Sequence, residues 1–130
     1  MKKAKEIYEN NRSSHWYDYQ PMLDEFGEIL IQVDEKGYQG DSFLIYKDDN
    51  KYGFLTFGWG SCSGCDALQA CTTISEVQEL MDRLYNCIKW FDSLQELKDY
   101  ISDDSIVELQ WYFYSDIFKE FKKKVLNYGK

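Results

Sequence analysis

The side chains with most chemistry to offer are four cysteines. Cys62 and Cys65 form a C-x-x-C pair, Cys71 follows in the same segment, and Cys87 lies further on. Four thiolates satisfy a tetrahedral zinc ion, and a C-x-x-C turn can supply two of them. The spacing meets that requirement only in part. No second C-x-x-C provides the other half, and if residues 65–71 are helical, Cys65 and Cys71 project about 240° apart. A strand leading into C-x-x-C at a helix N-terminus also stabilises thiolate, which makes thiol redox chemistry the second reading. Against it, Trp59 is not adjacent to Cys62, and the single proline, Pro21, precedes the motif. The third reading needs no chemistry: Cys71 and Cys87 are small apolar core residues, and Cys62 and Cys65 pack in a tight turn.

The same segment, GFLTFGWGSCSGCDALQAC over residues 53–71, is rich in glycine. Gly58, Gly60 and Gly64, with Trp59, Ser61 and Ser63 between them, could leave backbone N–H groups pointing outward as a cradle for the phosphate of a small nucleotide. The spacing matches neither the dinucleotide fingerprint nor a P-loop, no lysine stands beside it, and Asp66 puts negative charge where the phosphate would sit. His15 is the only histidine, so neither a histidine metal site nor a histidine acid/base pair can be assembled. The carboxylates are plentiful but show no glycosidase or nuclease spacing. The expectation is a protein without catalytic residues and without a cofactor, zinc being the alternative.

Those acids set the electrostatics. The formal net charge is −8 over 130 residues. The acidic excess lies between residues 18 and 115, while both ends of the chain are net basic. Such a surface repels a phosphate backbone, so direct nucleic-acid binding is not expected. Ordinary solubility explains a charge of this size. The sharper reading is that ordered carboxylates imitate phosphates and occupy the basic surface of a nucleic-acid-handling protein. Asp92, Glu96, Asp99, Asp103, Asp104 and Glu108 are the candidate contacts. With 4 Trp, 11 Tyr and 8 Phe, so short a chain cannot bury all its rings, and some are expected to face a partner.

The elements that must position these residues read as one α+β domain over residues 1–130, with a helix and irregular connector over 1–26 and the core over 27–130. Residues 2–11 are expected to form a polar helix, followed by an aromatic-rich connector over 13–26. Three apolar runs, 28–33, 42–46 and 52–57, separated by turn-forming sequences, predict an antiparallel meander. Ile74, Val77, Leu80, Met81, Leu84, Tyr85 and Ile88 follow helical spacing, with Ser75 as the expected cap. After an extended piece at 89–91, Ser93 is expected to cap a second helix carrying Leu94, Leu97, Tyr100 and Ile101. Residues 106–114 read as the fourth strand. Phe118, Phe121, Val125 and Tyr128 mark one face of a terminal helix, with Lys119, Lys122, Lys123 and Lys124 largely on its solvated side. The expected class is therefore an antiparallel sheet of about four strands packed against two to three helices. No run approaches the roughly 20 apolar residues of a membrane span, and the lysine-rich start lacks an apolar signal core, so a soluble protein with no membrane partner is expected.

The block YGFLTFGWGSCSGCDALQAC, followed by IKWFDSLQELKDYI and then by VELQWYFY leading into FKEF, resembles a group of small uncharacterised proteins encoded by bacteriophages and prophages. The likeness spans roughly residues 38–125, and its specific part is GWGSCSGCDALQAC. The resemblance implies a phage accessory protein in the bacterial cytoplasm. Small acidic proteins of that kind commonly act as counter-defence inhibitors, in the manner of anti-CRISPR proteins, by binding a host defence protein. A sponge that captures a nucleotide signal is the alternative, and a zinc or thiol-redox protein is the third.

Overall fold

Apolar residues at consecutive positions in the two middle runs dictate a sheet covered on both sides. In the computed structural model, which describes residues 2–12, 18–37, 39–60 and 66–129, Phe43, Leu44, Ile45 and Tyr46 are all buried. Successive side chains on a strand point to opposite faces, so such a run needs packing partners above and below. Strands β1 (Glu28–Asp34), β2 (Gly40–Asp48), β3 (Lys51–Trp59) and β4 (Lys89–Phe91) form an antiparallel sheet in the order β1-β2-β3-β4. The β2–β3 connection is tight because Asp49 takes a left-handed φ of 53°, which aspartate tolerates.

One face carries Leu44, Tyr46 and Leu55 beneath α1 (Lys2–Arg12), α2 (Gln20–Asp24) and α3 (Ile74–Asn86), whose Ile7, Met22, Val77 and Leu80 complete that core. The opposite face carries Phe43, Ile45 and Phe54 beneath α4 (Leu94–Ser102) and α5 (Asp116–Asn127), whose Leu97, Ile101, Phe118 and Phe121 complete the second core. The expected α+β class is therefore present, with five α-helices among the described residues where two to three were expected.

Four local expectations are corrected. Residues 106–114 do not form the fourth strand; that place belongs to β4, which pairs with Tyr52–Phe54 of β3. Because Ser93 caps α4 directly after β4, the chain is carried onto the second face. There Val107–Tyr112 winds as a 3₁₀ segment, burying Leu109 and setting Tyr112 edge-on to Phe43 at 5.1 Å. Tertiary packing overrides the β propensity of this run. Thr73, not Ser75, caps α3: its hydroxyl accepts the Glu76 N–H at 3.1 Å, while the Glu76 carboxylate accepts the Thr72 N–H and hydroxyl. The helix expected after the glycine turn stops after a single turn, with the Ala70 N–H donating to Asp66 O and the Cys71 N–H to Leu68 O. Finally, the connector is not wholly irregular, because Pro21 stands in the first turn of α2, where its missing N–H costs nothing.

Candidate functional site

One buried carboxylate joins Tyr19, Gly60 and Gln69. Asp66 is 4% exposed and accepts hydrogen bonds from the Tyr19 hydroxyl at 2.8 Å, the Gly60 N–H at 3.2 Å and the Gln69 N–H at 3.0 Å. The Gln69 side-chain amide closes the loop by donating to Gly60 O at 2.7 Å. Burial, reinforced by the charge of Asp66, pushes the Tyr19 phenol far above its ordinary value, so Tyr19 stays protonated and donates. Its oxygen in turn accepts the Leu68 N–H. The Gly60 donor that a phosphate cradle would offer is thus already held by an internal anion.

Trp59 is half-buried and its indole N–H donates to Ser42 Oγ at 2.9 Å, while Gly58 is exposed and pairs with Asp41 across the strands. A cavity of about 210 Å³ opens beside Trp59, and its walls include Asp18 and Asp34. This is smaller than the roughly 300 Å³ at which drug-sized ligand pockets begin, and its carboxylates oppose a phosphate. Ser61, Cys62, Ser63, Gly64 and Cys65 lie outside the described residues, as does His15.

The two other cysteines do not share a core position. Cys71 is half-buried and its thiol donates to Ala67 O at 3.4 Å. Burial, then the Glu76 carboxylate, pushes that thiol above its usual range, so it remains protonated past neutrality. Cys87 is exposed as the C-terminal cap of α3, which corrects its expected place in the core. Among the described residues no group of three or more potential ligands converges on a metal position.

The acidic candidates gather on the second helical layer. Asp92, Glu96, Asp99, Asp103, Asp104 and Glu108 are all exposed. At 100° per residue, Glu96 and Asp99 share the stripe of α4 opposite the buried Leu97 and Ile101, while Asp92 precedes the helix and Asp103 is its C-terminal cap. Local bonds hold several of these groups. The Ser93 hydroxyl accepts the Glu96 N–H and the Glu96 carboxylate accepts the Asp92 N–H. Asp103 accepts from the Ser105 hydroxyl and N–H, which hold it below the usual carboxylate range. Glu108 is also lowered, by its own backbone N–H first and then by the Tyr100 hydroxyl at 3.1 Å.

The stretch that follows α4 carries two exposed aromatic residues that a strand over 106–114 does not predict. Trp111 is 89% exposed and Tyr114 is 93% exposed, with Val107 also on the surface. Val107 and Trp111 lie on the 3₁₀ segment and Tyr114 just after it, so no single helical spacing in the sequence marks them as exposed. No family model matches the chain, and neither a curated protein nor a solved structure matches it.

Proposed function

We propose that this protein is a non-enzymatic phage or prophage accessory protein that inhibits a bacterial defence protein by occupying it. The contact surface is the outer stripe of α4 together with the 3₁₀ segment, and the partner is a cytoplasmic nucleic-acid-handling protein with a basic surface. One observation carries the reading: Trp111 and Tyr114 stand almost fully exposed on the stretch that follows α4 and includes the exposed Glu108. Tryptophan and tyrosine are the residues that dominate protein–protein binding energy when they enter a partner's pocket, and an anionic rim steers a basic partner into register. The phage-like GWGSCSGCDALQAC block supplies the biological setting.

The test is affinity capture from a bacterial lysate with the native chain and with a variant carrying Asp103→Lys, Asp104→Lys and Glu108→Lys. The native chain is expected to retain a basic nucleic-acid-handling protein, with binding that weakens steeply as salt rises. The variant is expected to lose it. Retention of the same protein by both chains, at the same salt dependence, would remove the proposed surface.

A further inference from the structure

The cavity beside Trp59 lies on the other face of the sheet and is independent of the surface just described. Its walls are aromatic and anionic together. Tyr19, Phe57 and Trp59 contribute rings, Asp18 and Asp34 contribute carboxylates, and among the described residues no lysine, arginine or histidine lines it. Among the described residues, neither Asp18 nor Asp34 takes part in a salt bridge.

The carboxylate of Asp34 is held in place. Ser42 Oγ donates to its Oδ1 at 2.6 Å, and Ser42 itself receives the Trp59 indole N–H. Gln32 Nε2 donates to Asp34 Oδ2 at 3.0 Å, and the Gln32 amide is fixed by a reciprocal pair of hydrogen bonds with Gln20, at 2.8 and 3.1 Å. Asp18 accepts the Gln20 N–H at 2.9 Å at the start of α2. These bonds use only part of the acceptor capacity of the two carboxylates. At roughly 30 Å³ per water, about 210 Å³ holds the equivalent of about seven waters, the scale of one small headgroup and not of a nucleotide.

Rings and fixed carboxylates around a small space are the two features that select a weakly hydrated organic cation, through the negative faces of the rings and a charge-assisted hydrogen bond. A calcium or magnesium ion instead requires about six oxygen ligands and gains nothing from the rings. We infer that the cavity bounded by Trp59, Phe57, Tyr19, Asp34 and Asp18 is a recognition site for an alkylammonium or guanidinium group.

The experiment follows the Trp59 indole N–H resonance of the full chain, labelled with nitrogen-15, while n-butylammonium, N-methylguanidinium, 1-butanol, butyrate or calcium chloride is added at matched ionic strength. The two organic cations are expected to shift that resonance saturably. 1-Butanol is expected to bind at least about tenfold more weakly, and butyrate and calcium not at all. Asp34→Asn, which keeps an acceptor for Ser42, is expected to weaken the cations roughly tenfold in a chain that melts as the native one does, and Trp59→Phe to weaken them less. Capped tripeptides with a central lysine or arginine distinguish the sources. Tighter binding than the free cations assigns the site to a side chain of another protein, and equal binding assigns it to a free amine. No saturable shift with either cation, equal affinity for 1-butanol or calcium, or unchanged affinity in folded Asp34→Asn would overturn the inference.

Discussion

The two helical layers of this protein use polarity in opposite ways. The three buried polar residues among those described, Asn11, Ser42 and Asp66, all belong to the side of the sheet covered by α1, α2 and α3, and each is tied into hydrogen bonds there. On the other side the buried residues form an apolar cluster of Phe43, Phe118, Phe121 and their neighbours, and the carboxylates stay outside in water. Among the described residues, three of the four exposed large hydrophobic residues, Val107, Trp111 and Tyr114, follow α4 on the chain that covers this second side. A buried, hydrogen-bonded carboxylate such as Asp66 holds Tyr19, Gly60 and Gln69 in place. Exposed carboxylates such as Asp99 add little to folding.

That contrast predicts a graded set of stability effects. The largest is at Asp66: truncation to alanine removes the acceptor for Tyr19, Gly60 and Gln69 and is expected to cost about 3 kcal/mol, read as a fall in the urea midpoint. Asp99→Ala on the exposed stripe is expected to change stability by less than about 0.5 kcal/mol. Comparable losses at the two sites would erase the distinction between the layers.

Next comes Gly53, which sits under the Trp90 ring. An added Cβ would lie 2.6 Å from Ile88 Cγ2 and 2.9 Å from the ring carbons Cε3 and Cζ3 of Trp90. Gly53→Ala is therefore expected to destabilise the chain by about 2 kcal/mol through overpacking, measured in the same way. A neutral result would show that the α3 side yields where it is described as closely packed.

A smaller effect separates two neighbours in the first layer. Thr73→Ala removes the cap of α3 and is expected to cost about 1 kcal/mol, whereas Ser75→Ala is expected to cost only a few tenths. The reverse order would restore the cap expected from sequence.

The smallest effect is on the second layer and depends on pH. Burial, then the bond to Glu108, raises the Tyr100 phenol from 10.0 to about 12. The folded state therefore holds this proton more tightly than the unfolded chain. Its contribution is complete below pH 10 and is lost as pH rises toward about 12, so thermal melts should show a decline over that window that is reduced in Tyr100→Phe. The lowered Glu108 acts in the opposite direction, its contribution being present above the ordinary carboxylate range and lost on acidification. An alkaline decline of the same size in Tyr100→Phe would assign it to other groups.

How far the sequence could be read follows from the same physics. The meander was legible because β-branched and aromatic runs and turn residues are local signals, and α3 and α4 because their apolar spacing is regular. The run VELQWYFY misled because β propensity describes fit to a half-buried surface, and only the placement of α4 decides that this run closes the end of a core instead of extending the sheet. Cys87 follows the apolar stripe by number, but it is the C-terminal cap of α3, one position past the last turn, and it is the next residue, Ile88, that enters the core. The sequence marks Asp66 only as a charge that opposes a phosphate; its structural use was not legible, because its partner Tyr19 lies 47 residues earlier and no spacing rule connects the two. The outward placement of the acids on α4 follows from its heptad-like pattern. The exposure of Trp111 and Tyr114 does not, because their local sequence is as apolar as a buried strand.

The central claim, that the protein acts by occupying a partner through the second layer, is tested most directly at Trp111. The protein captured from lysate is titrated against the native chain and against Trp111→Ala, with melting temperature recorded for both. Because Trp111 is 89% exposed, its removal is expected to leave the melt unchanged while weakening the complex by about thirtyfold or more. Equal affinity of the two chains for that partner would contradict the account.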